Sequence, residues 1–350
     1  HLHRQNSQLL THDKLSVFQQ LQQRPVVPVC TLPTPTSSTS LSFNGHGKSA
    51  VFSQWSKTLQ KNQYEECCFW TAELDASGWQ SDIWQKLIVF ASKHVHIHCP
   101  KLPLLLARNY AYYQLHTIKA SHKDANMPEP HNDLQLRRNL CQIVGLVSLS
   151  SKGPVYGLPK VDVDKICDSD IESEIHRWVI PHSSTEDNFI VLRIISTIFA
   201  CIETKTAHKA LYWLAVLCEL DKRYKKLKTP MQMAARKPVL PTDKSYRHVY
   251  LDTKVSRDWV WLVWSTFVTA CGEIHPHEDA ARSILALGYV FANDYTLARR
   301  NTRMPIVVHV IVMLTHTLTW ADSVYTDQNK PMIARACDNI DLLYNEVFNK

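Results

Sequence analysis

The sequence contains very little glycine: 8 of its 350 residues, which is about 2% against a usual share of roughly 7%. Doubly wound sheets, barrels and phosphate-cradling loops need glycine for tight turns and for close approach of the backbone to a ligand. The shortage argues against Rossmann, barrel and P-loop enzymes. It favours an all-α fold whose helices are joined by polar or proline-containing connections.

Long uninterrupted apolar runs are also missing, since no stretch reaches the length of about 18 residues that a membrane-spanning helix requires. The nearest is Ile306–Trp320, which several polar residues interrupt. No secretory signal peptide is recognisable. We therefore expect no membrane partner. The chain begins at His1 rather than Met, which is consistent with a removed leader or with a truncated chain.

The 10 cysteines do not indicate the disulfide framework of a short secreted domain, because the chain is long and their spacing is irregular. Cys67 and Cys68 are adjacent, and others lie inside apolar runs, where cysteine behaves as a small buried hydrophobe. We expect an intracellular, reducing compartment: nucleus, cytoplasm or virion, with the mitochondrial matrix as the alternative.

Composition divides the chain into four segments. Residues 1–48 combine a predicted helix with an extended Pro/Ser-rich arm, typical of a linker or of a segment laid along a partner. Residues 49–151 and 170–350 carry apolar residues at helical spacing and are predicted to form two helical lobes. Residues 152–169, with glycine and proline, are predicted to connect them. The expected architecture is a two-lobed multi-helix bundle with an extended N-terminal arm.

Two segments of the second lobe fit either strand or helix. Trp259–Trp264 and Ile306–Leu314 are rich in aromatic or β-branched residues, which suit strands. Their surroundings have helical length and few turn residues, so helix is the favoured interpretation. In the first lobe, Asp133 is placed to cap a predicted helix over 133–150.

Gly47-Lys48-Ser49 matches the end of the phosphate-binding motif G-x-x-x-x-G-K-[ST], whose backbone amides and lysine hold phosphates. Ser42 stands where the opening glycine belongs, and a Ser/Thr/Pro-rich segment precedes it instead of a hydrophobic strand. No acidic strand follows to hold magnesium. We therefore expect neither nucleotide hydrolysis nor a bound cofactor.

His94, His96 and His98 would share one face of an extended segment and could ligate zinc there. On a helix the same spacing separates them, and the sequence has no C-x-x-C pair to supply a second half-site. A helix end that runs into a proline turn is the favoured interpretation, so no metal is expected.

Motifs for nucleophilic catalysis are absent: the sequence has no G-x-S-x-G, and no cysteine stands in a recognised local signature. The carboxylates at helical intervals are interpreted as solvated helix faces. No catalytic residue is predicted, and we expect a protein that is not an enzyme.

Positive charge is concentrated in one third of the chain. Between residues 200 and 303 there are 17 Lys and Arg against 10 Asp and Glu, which accounts for the whole formal net charge of +7. Lys222–Lys228 ends a helix predicted over 206–226, where cations suit the negative end of the dipole. Arg299–Arg303 is predicted to end a helix over 277–300 in the same way.

If these two ends share a face, they form a cluster able to neutralise several phosphates of DNA or RNA. No base-reading motif is visible, so contacts to the backbone are expected. A solvated helix surface is the alternative. The predicted nucleic-acid-binding residues are Lys222, Arg223, Lys225, Lys226, Lys228, Arg299, Arg300 and Arg303.

Three tryptophans follow one another closely in the second lobe. Trp259, Trp261 and Trp264 cannot all face one direction on a helix. We therefore expect at least one of them to reach an interface with another subunit, where tryptophan is enriched.

The stretch Glu66–Gly78 reads E-C-C-F-W-T-A-E-L-D-A-S-G and continues through a second helical pattern to Pro100. It resembles the helical carboxy-terminal region of clamp-loader-related ATPases, where a helix ending W-x-x-E-L-x-x-S-G precedes a second helix and a proline turn. Leu211–Leu214 and Asp258–Trp261 also resemble uncharacterised proteins of large DNA viruses. The similarity covers residues 60–120 best.

The ATPase module of that family is absent, and Lys93-His94 replaces the acidic pair that usually precedes the turn. The resemblance implies a collar-like helical fold that mediates contacts between subunits, without hydrolysis.

We expect a non-enzymatic helical subunit of a larger assembly, in DNA replication or viral assembly, that contacts other protein subunits and holds a basic face near nucleic acid. A structural protein of a ribonucleoprotein, such as an organellar ribosome, is the alternative. A hydrolase that uses the histidines is a third interpretation.

Overall fold

A computed structural model describes residues 40–121, 129–229 and 231–349. In these ranges the chain forms α-helices and short 3-10 turns and contains no β-strand, which confirms the predicted all-α class. The predicted N-terminal helix and most of the arm lie outside the described residues. The helices are α1 Lys48–Gln60, α2 Tyr64–Ala76, α3 Gln80–His94, α4 Leu102–Ser121, α5 Leu134–Leu149, α6 Phe189–Glu203, α7 Ala207–Lys226, α8 Val260–Ile274, α9 Glu278–Ala292, α10 Arg300–Thr315, α11 Asn329–Asp338 and α12 Ile340–Phe348.

The ambiguous segments are helical, because Trp259–Trp264 falls at the start of α8 and Ile306–Leu314 inside α10. The predicted cap of α5 is also present, since Asp133 accepts a hydrogen bond from the backbone N–H of Leu136 at 2.9 Å. No helix within the described residues combines the length and apolar character needed to cross a bilayer.

Five helices end with a residue in the left-handed region of φ, one position beyond the C-cap. Glycine is the usual residue there, because any Cβ is strained in this conformation. Of these five positions in the described residues, glycine occupies only the one after α2. The residues are Asn62 (φ 58°), Gly78 (φ 75°), Lys205 (φ 58°), Lys228 (φ 55°) and Asp294 (φ 51°).

The chain divides into two compact units that differ from the predicted lobes. Unit 1 consists of the described parts of His1–Leu87, Tyr113–Ser150 and Tyr325–Lys350, and unit 2 of Ile88–Tyr112 and Ser151–Val324. The C-terminal helices α11 and α12, assigned by sequence to the second lobe, pack on α5 and α2 of unit 1.

Helix α2 is central in unit 1 and packs against α1, α5 and α12. Cys68, Ala72 and Ala76 recur every four residues along α2 and so lie on one face, where their small side chains let helices approach closely. Leu343 and Tyr344 of α12 are buried in the same cluster. The core of unit 1 therefore forms where α2, near the start of the described chain, meets α12 at its end.

Unit 2 contains helices α6 to α10 together with the end of α3 and the first part of α4, and α10 is buried along most of its length. Helix α10 packs against α7, α8 and α9, and also against α6 and the 3-10 turn His96–His98. Residues 151–188 have no α-helix and follow the surface of this unit. They are anchored by side chains such as Asp168, whose carboxylate accepts from Arg193 at 2.6 Å.

The left-handed position of Lys228 generates a stability prediction. Lys228→Gly should raise the free energy of unfolding by roughly 0.5–1 kcal/mol, because glycine adopts this φ without steric strain. Lys226→Gly, two residues earlier and inside α7, should lower the same quantity by roughly 0.5–1 kcal/mol. Urea unfolding followed by tryptophan fluorescence measures both. Two changes of the same sign would contradict the assigned end of α7.

Candidate nucleic-acid interface

The C-terminal end of α7 carries the first predicted basic stretch, and its five cationic side chains are all exposed. Three of them pair with carboxylates, and the pairs of Lys222 and Arg223 leave both charged groups in solvent, whereas the carboxylate that pairs with Lys225 is buried. Such exposed pairs contribute little to stability and exchange readily for other anions. The pairs are Lys222 with Glu219 at 2.9 Å, Arg223 with Asp164 at 2.6 Å and Lys225 with Asp221 at 2.8 Å.

Lys226 and Lys228 complete this stretch, and neither forms an ion pair with another described residue. Both are exposed at the negative end of the α7 dipole. Their ammonium groups are therefore free to meet an anionic partner.

The second basic stretch lies at the start of a helix rather than at the end of one. The helix predicted over 277–300 ends at Ala292, and Arg300 begins α10. Arg299 is exposed and donates to the backbone carbonyl of Asp294 at 2.9 Å. Arg300 and Arg303, by contrast, are only 3% and 1% exposed. The prediction that these two arginines bind nucleic acid is wrong, because buried guanidinium groups cannot reach phosphates.

The guanidinium of Arg300 lies between two carboxylates inside unit 2. It donates to Asp258 Oδ1 at 2.7 Å and also to Asp221 Oδ2. Its face lies over the ring of Trp259, 5.0 Å from the centroid. Burial alone would lower the pKa of Arg300, but the carboxylates of Asp258 and Asp221 outweigh burial and raise it. Arg300 is therefore a fixed positive charge that links α7 and α10 to Asp258, two residues before the start of α8.

The side chain of Arg303 binds the C-terminal end of α9. Its guanidinium donates to the carbonyl oxygens of Phe291 at 2.5 Å and Asn293 at 2.6 Å. These carbonyls lie at the C-terminal end of α9, where the backbone has no intrahelical partner. The side chain therefore has a structural role.

Asp221 brings the two predicted stretches together, since it accepts from both Lys225 of α7 and Arg300 of α10. The last turns of α7 and the start of α10 therefore lie close to each other. We call their exposed cations the basic face; it consists of Lys222, Arg223, Lys225, Lys226, Lys228 and Arg299.

The three tryptophans predicted to include an interface residue are all buried inside unit 2. Trp259, Trp261 and Trp264 are at most 1% exposed. The Trp261 indole N–H donates to the carbonyl of Val255 at 2.8 Å. None of the three is available to another subunit, so this prediction is corrected: Trp261 and Trp264 both pack against Phe291, and Trp259 lies against Arg300.

Lys48, the lysine of the incomplete phosphate-binding motif, faces an aspartate. Its Nζ atom lies 2.5 Å from Asp82 and 5.0 Å from the ring centroid of Trp79. Gly47 is the N-cap of α1, and Gly45 allows a tight turn just before it at φ 78°. The motif therefore forms the entry into α1.

The histidines considered for zinc hold a segment of backbone in place. His94 ends α3, and His96 lies in a 3-10 turn with its Nε2 atom 2.9 Å from the carbonyl of Pro154. Gly153 donates its N–H to the carbonyl of His94 at 2.7 Å, and a Cβ at Gly153 would clash with the rings of His96 and His98. No group of metal-ligating side chains converges in the described part of the chain.

His309 is buried in α10, and its Nδ1 atom lies 3.4 Å from Ser92 Oγ. Burial, aided by the neighbouring His96, lowers the pKa of His309 to about 3. The imidazole is therefore neutral in the folded protein across the physiological range.

Comparison with known protein families, with curated proteins and with solved structures finds no match for this chain.

The buried position of Arg300 predicts a large effect of its removal. Arg300→Met should lower the free energy of unfolding by about 3–5 kcal/mol, because it leaves Asp221 and Asp258 buried without their cation. Arg299→Met is the matched control at the adjacent exposed position, with an expected change within about 0.5 kcal/mol. Urea unfolding measures both. Equal effects would contradict the different burial of the two arginines.

His309 predicts a pH dependence of stability. Its pKa of about 3 in the folded state lies below the value of about 6.5 in an unfolded chain. Between these values the unfolded state binds the extra proton, so stability falls as pH falls. Lowering the pH from 7 to 5 should therefore reduce the free energy of unfolding of the wild type by about 2 kcal/mol more than it reduces that of His309→Gln.

The control for that experiment is His208→Gln, which changes an exposed histidine of α7 and should follow the wild-type pH profile. Chemical unfolding at a series of pH values provides the measurement. A His309→Gln profile parallel to the wild type would show that the buried imidazole does not carry this pH dependence.

Proposed function

We propose that this protein is a non-enzymatic helical subunit of a larger assembly and that its basic face binds the phosphate backbone of duplex DNA. The observation that supports this proposal most directly is the cluster of six exposed cations at the neighbouring ends of α7 and α10. Phosphate contacts of this kind supply affinity without sequence specificity.

The charge balance at the basic face favours an anionic partner. Glu219 and Asp164 pair with one exposed cation each, and Asp221 is shared with the buried Arg300. Lys226, Lys228 and Arg299 are left without a carboxylate among the described residues. Because the exposed pairs are weak, phosphates can replace their carboxylates at little cost.

The role as a subunit rests on the resemblance of residues 66–100 to the collar region of clamp-loader-related ATPases. That resemblance supports contacts with other protein subunits and a place in DNA replication or viral assembly. The nine described cysteines, all free of disulfides, support a reducing compartment such as the nucleus, the cytoplasm or a virion.

A hydrolase that uses the histidine-rich stretch receives no support from the side chains there. His96 contacts the backbone of Pro154, and His309 is buried against Ser92. In unit 2, His309 therefore packs in the interior, and His96 contacts the segment that follows α5.

A salt series tests the proposal. The full chain is titrated into a fluorescently labelled duplex DNA, and anisotropy gives the affinity between about 50 and 300 mM salt. The double variant Lys226→Ala/Lys228→Gly should flatten the log–log salt dependence by about two units and weaken binding at least about tenfold at 100 mM salt, because it removes two phosphate contacts.

The matched control is Lys57→Ala/Lys61→Ala, which removes two exposed lysines from the equivalent end of α1. It should bind as the wild type does. Equal losses in the two variants, or binding that salt does not weaken, would contradict the proposal. A structured RNA that binds more tightly than the duplex would favour the ribonucleoprotein alternative.

A further inference from the structure

Three cysteines on three neighbouring helices of unit 1 differ in their exposure to solvent. Cys337 of α11 is partly exposed, whereas Cys141 of α5 and Cys68 of α2 are at most 1% exposed. The Sγ atoms of Cys68 and Cys141 are 3.3 Å apart. The thiol of Cys337 donates to the backbone carbonyl of Arg138, which lies on α5 one turn before Cys141, at 3.7 Å. Cys141 therefore contacts Cys68, and Cys337 lies against the same stretch of α5.

The packing of α5 against α11 holds Cys141 and Cys337 opposite each other. Gly145 lies one turn after Cys141, and Ile333 lies one turn before Cys337. A Cβ built on Gly145 would be 3.4 Å from Ile333 Cγ1, so the helices are in close contact there. The contacts of Gly145 with Ile333 and of Arg138 with Cys337 show that the two helices run antiparallel, which places Cys337 beside Cys141.

The two thiols differ in reactivity. The hydrogen bond from Cys141 lowers the pKa of Cys337, with help from Arg138 and against the opposing effects of burial and Asp338. Hydrogen bonds to Cys337 and Cys68, together with burial, raise the pKa of Cys141. Because the thiolate is the reactive form of cysteine, Cys337 is favoured as the nucleophile and Cys141 as the proton donor beside it.

We propose that Cys337 is an oxidation site for hydroperoxides and that Cys141 is its resolving cysteine. The Cys337 thiolate attacks the peroxide: an S–O bond forms, the O–O bond breaks, and the sulfur is oxidised to the sulfenic acid while the peroxide is reduced to an alcohol or water. Cys141 Sγ then attacks Cys337 Sγ. The S–S bond forms, the S–O bond breaks, and hydroxide leaves with the Cys141 proton as water.

The product is a disulfide between α5 and α11 that replaces an existing thiol contact. Disulfide formation requires the sulfurs to approach to about 2.05 Å, a movement that side-chain rotation and a small shift of the short helix α11 can supply. Cys68 stays reduced in this scheme, since the oxidant meets the partly exposed Cys337 and not the buried Cys68.

The test uses the reduced full chain, treated with hydrogen peroxide and mapped by non-reducing peptide mass spectrometry. Wild-type protein should yield the Cys141–Cys337 disulfide. Cys167, an exposed cysteine of unit 2, serves as the internal reference, and Cys337 should be oxidised about tenfold faster because of its thiolate character. Equal rates at the two cysteines would overturn the proposal.

Variants distinguish the two steps. Cys141→Ser should abolish the disulfide and increase trapping of the Cys337 sulfenic acid by dimedone about tenfold, because the resolving thiol is gone. Cys68→Ser should form the disulfide as the wild type does. A Cys68–Cys141 disulfide in the Cys337→Ser variant would overturn the proposal, since the oxidant would then reach Cys141 directly. The wild-type map needs no variant and decides the outcome even if a substitution disturbs folding.

Discussion

The burial of the Arg300 guanidinium between Asp221 and Asp258 is the interaction on which the arrangement of unit 2 depends. A charge in the interior has to be paired, so α7, α10 and Asp258 near the start of α8 are held in one geometry. Asp221 also binds Lys225, so this exposed lysine of α7 lies next to the start of α10. The cluster of Arg300, Asp221 and Asp258 thus stabilises the interior and also positions an exposed lysine.

Much of the fold follows from the residue types alone. Few glycines and a repeat of three to four residues predicted an all-α chain, and the helical conformation of Trp259–Trp264 agrees with that pattern. The ends of helices are harder to predict from the sequence. Helix α9 ends at Ala292, where Asn293 is extended and Asp294 is left-handed. A glycine at position 294 would have indicated this end in the sequence, but the residue is aspartate.

Charge by itself does not reveal burial, which is why the candidate site was predicted only in part. Lys226 and Lys228 are exposed as expected, whereas Arg300 is part of the core. A signal was present in the sequence: Arg300 precedes Met304 and Val307 at the spacing of one helix face. Contacts between distant parts of the chain, such as the Cys141–Cys337 pair, leave no trace in a single sequence, because nothing local specifies them.

Gly153 is one of the few glycines of the chain, and its surroundings leave little space for a side chain. Its backbone lies against the imidazoles of His96 and His98, where a Cβ would clash with both rings. At four of the five helix ends with a left-handed residue, lysine, asparagine or aspartate stands in place of glycine and tolerates the strain. At position 153 the exposed ring of His98 can turn away, but the ring of His96 is buried and contacts the carbonyl of Pro154. A side chain at residue 153 would therefore displace His96 from this contact, although the residue lies in a segment without regular secondary structure.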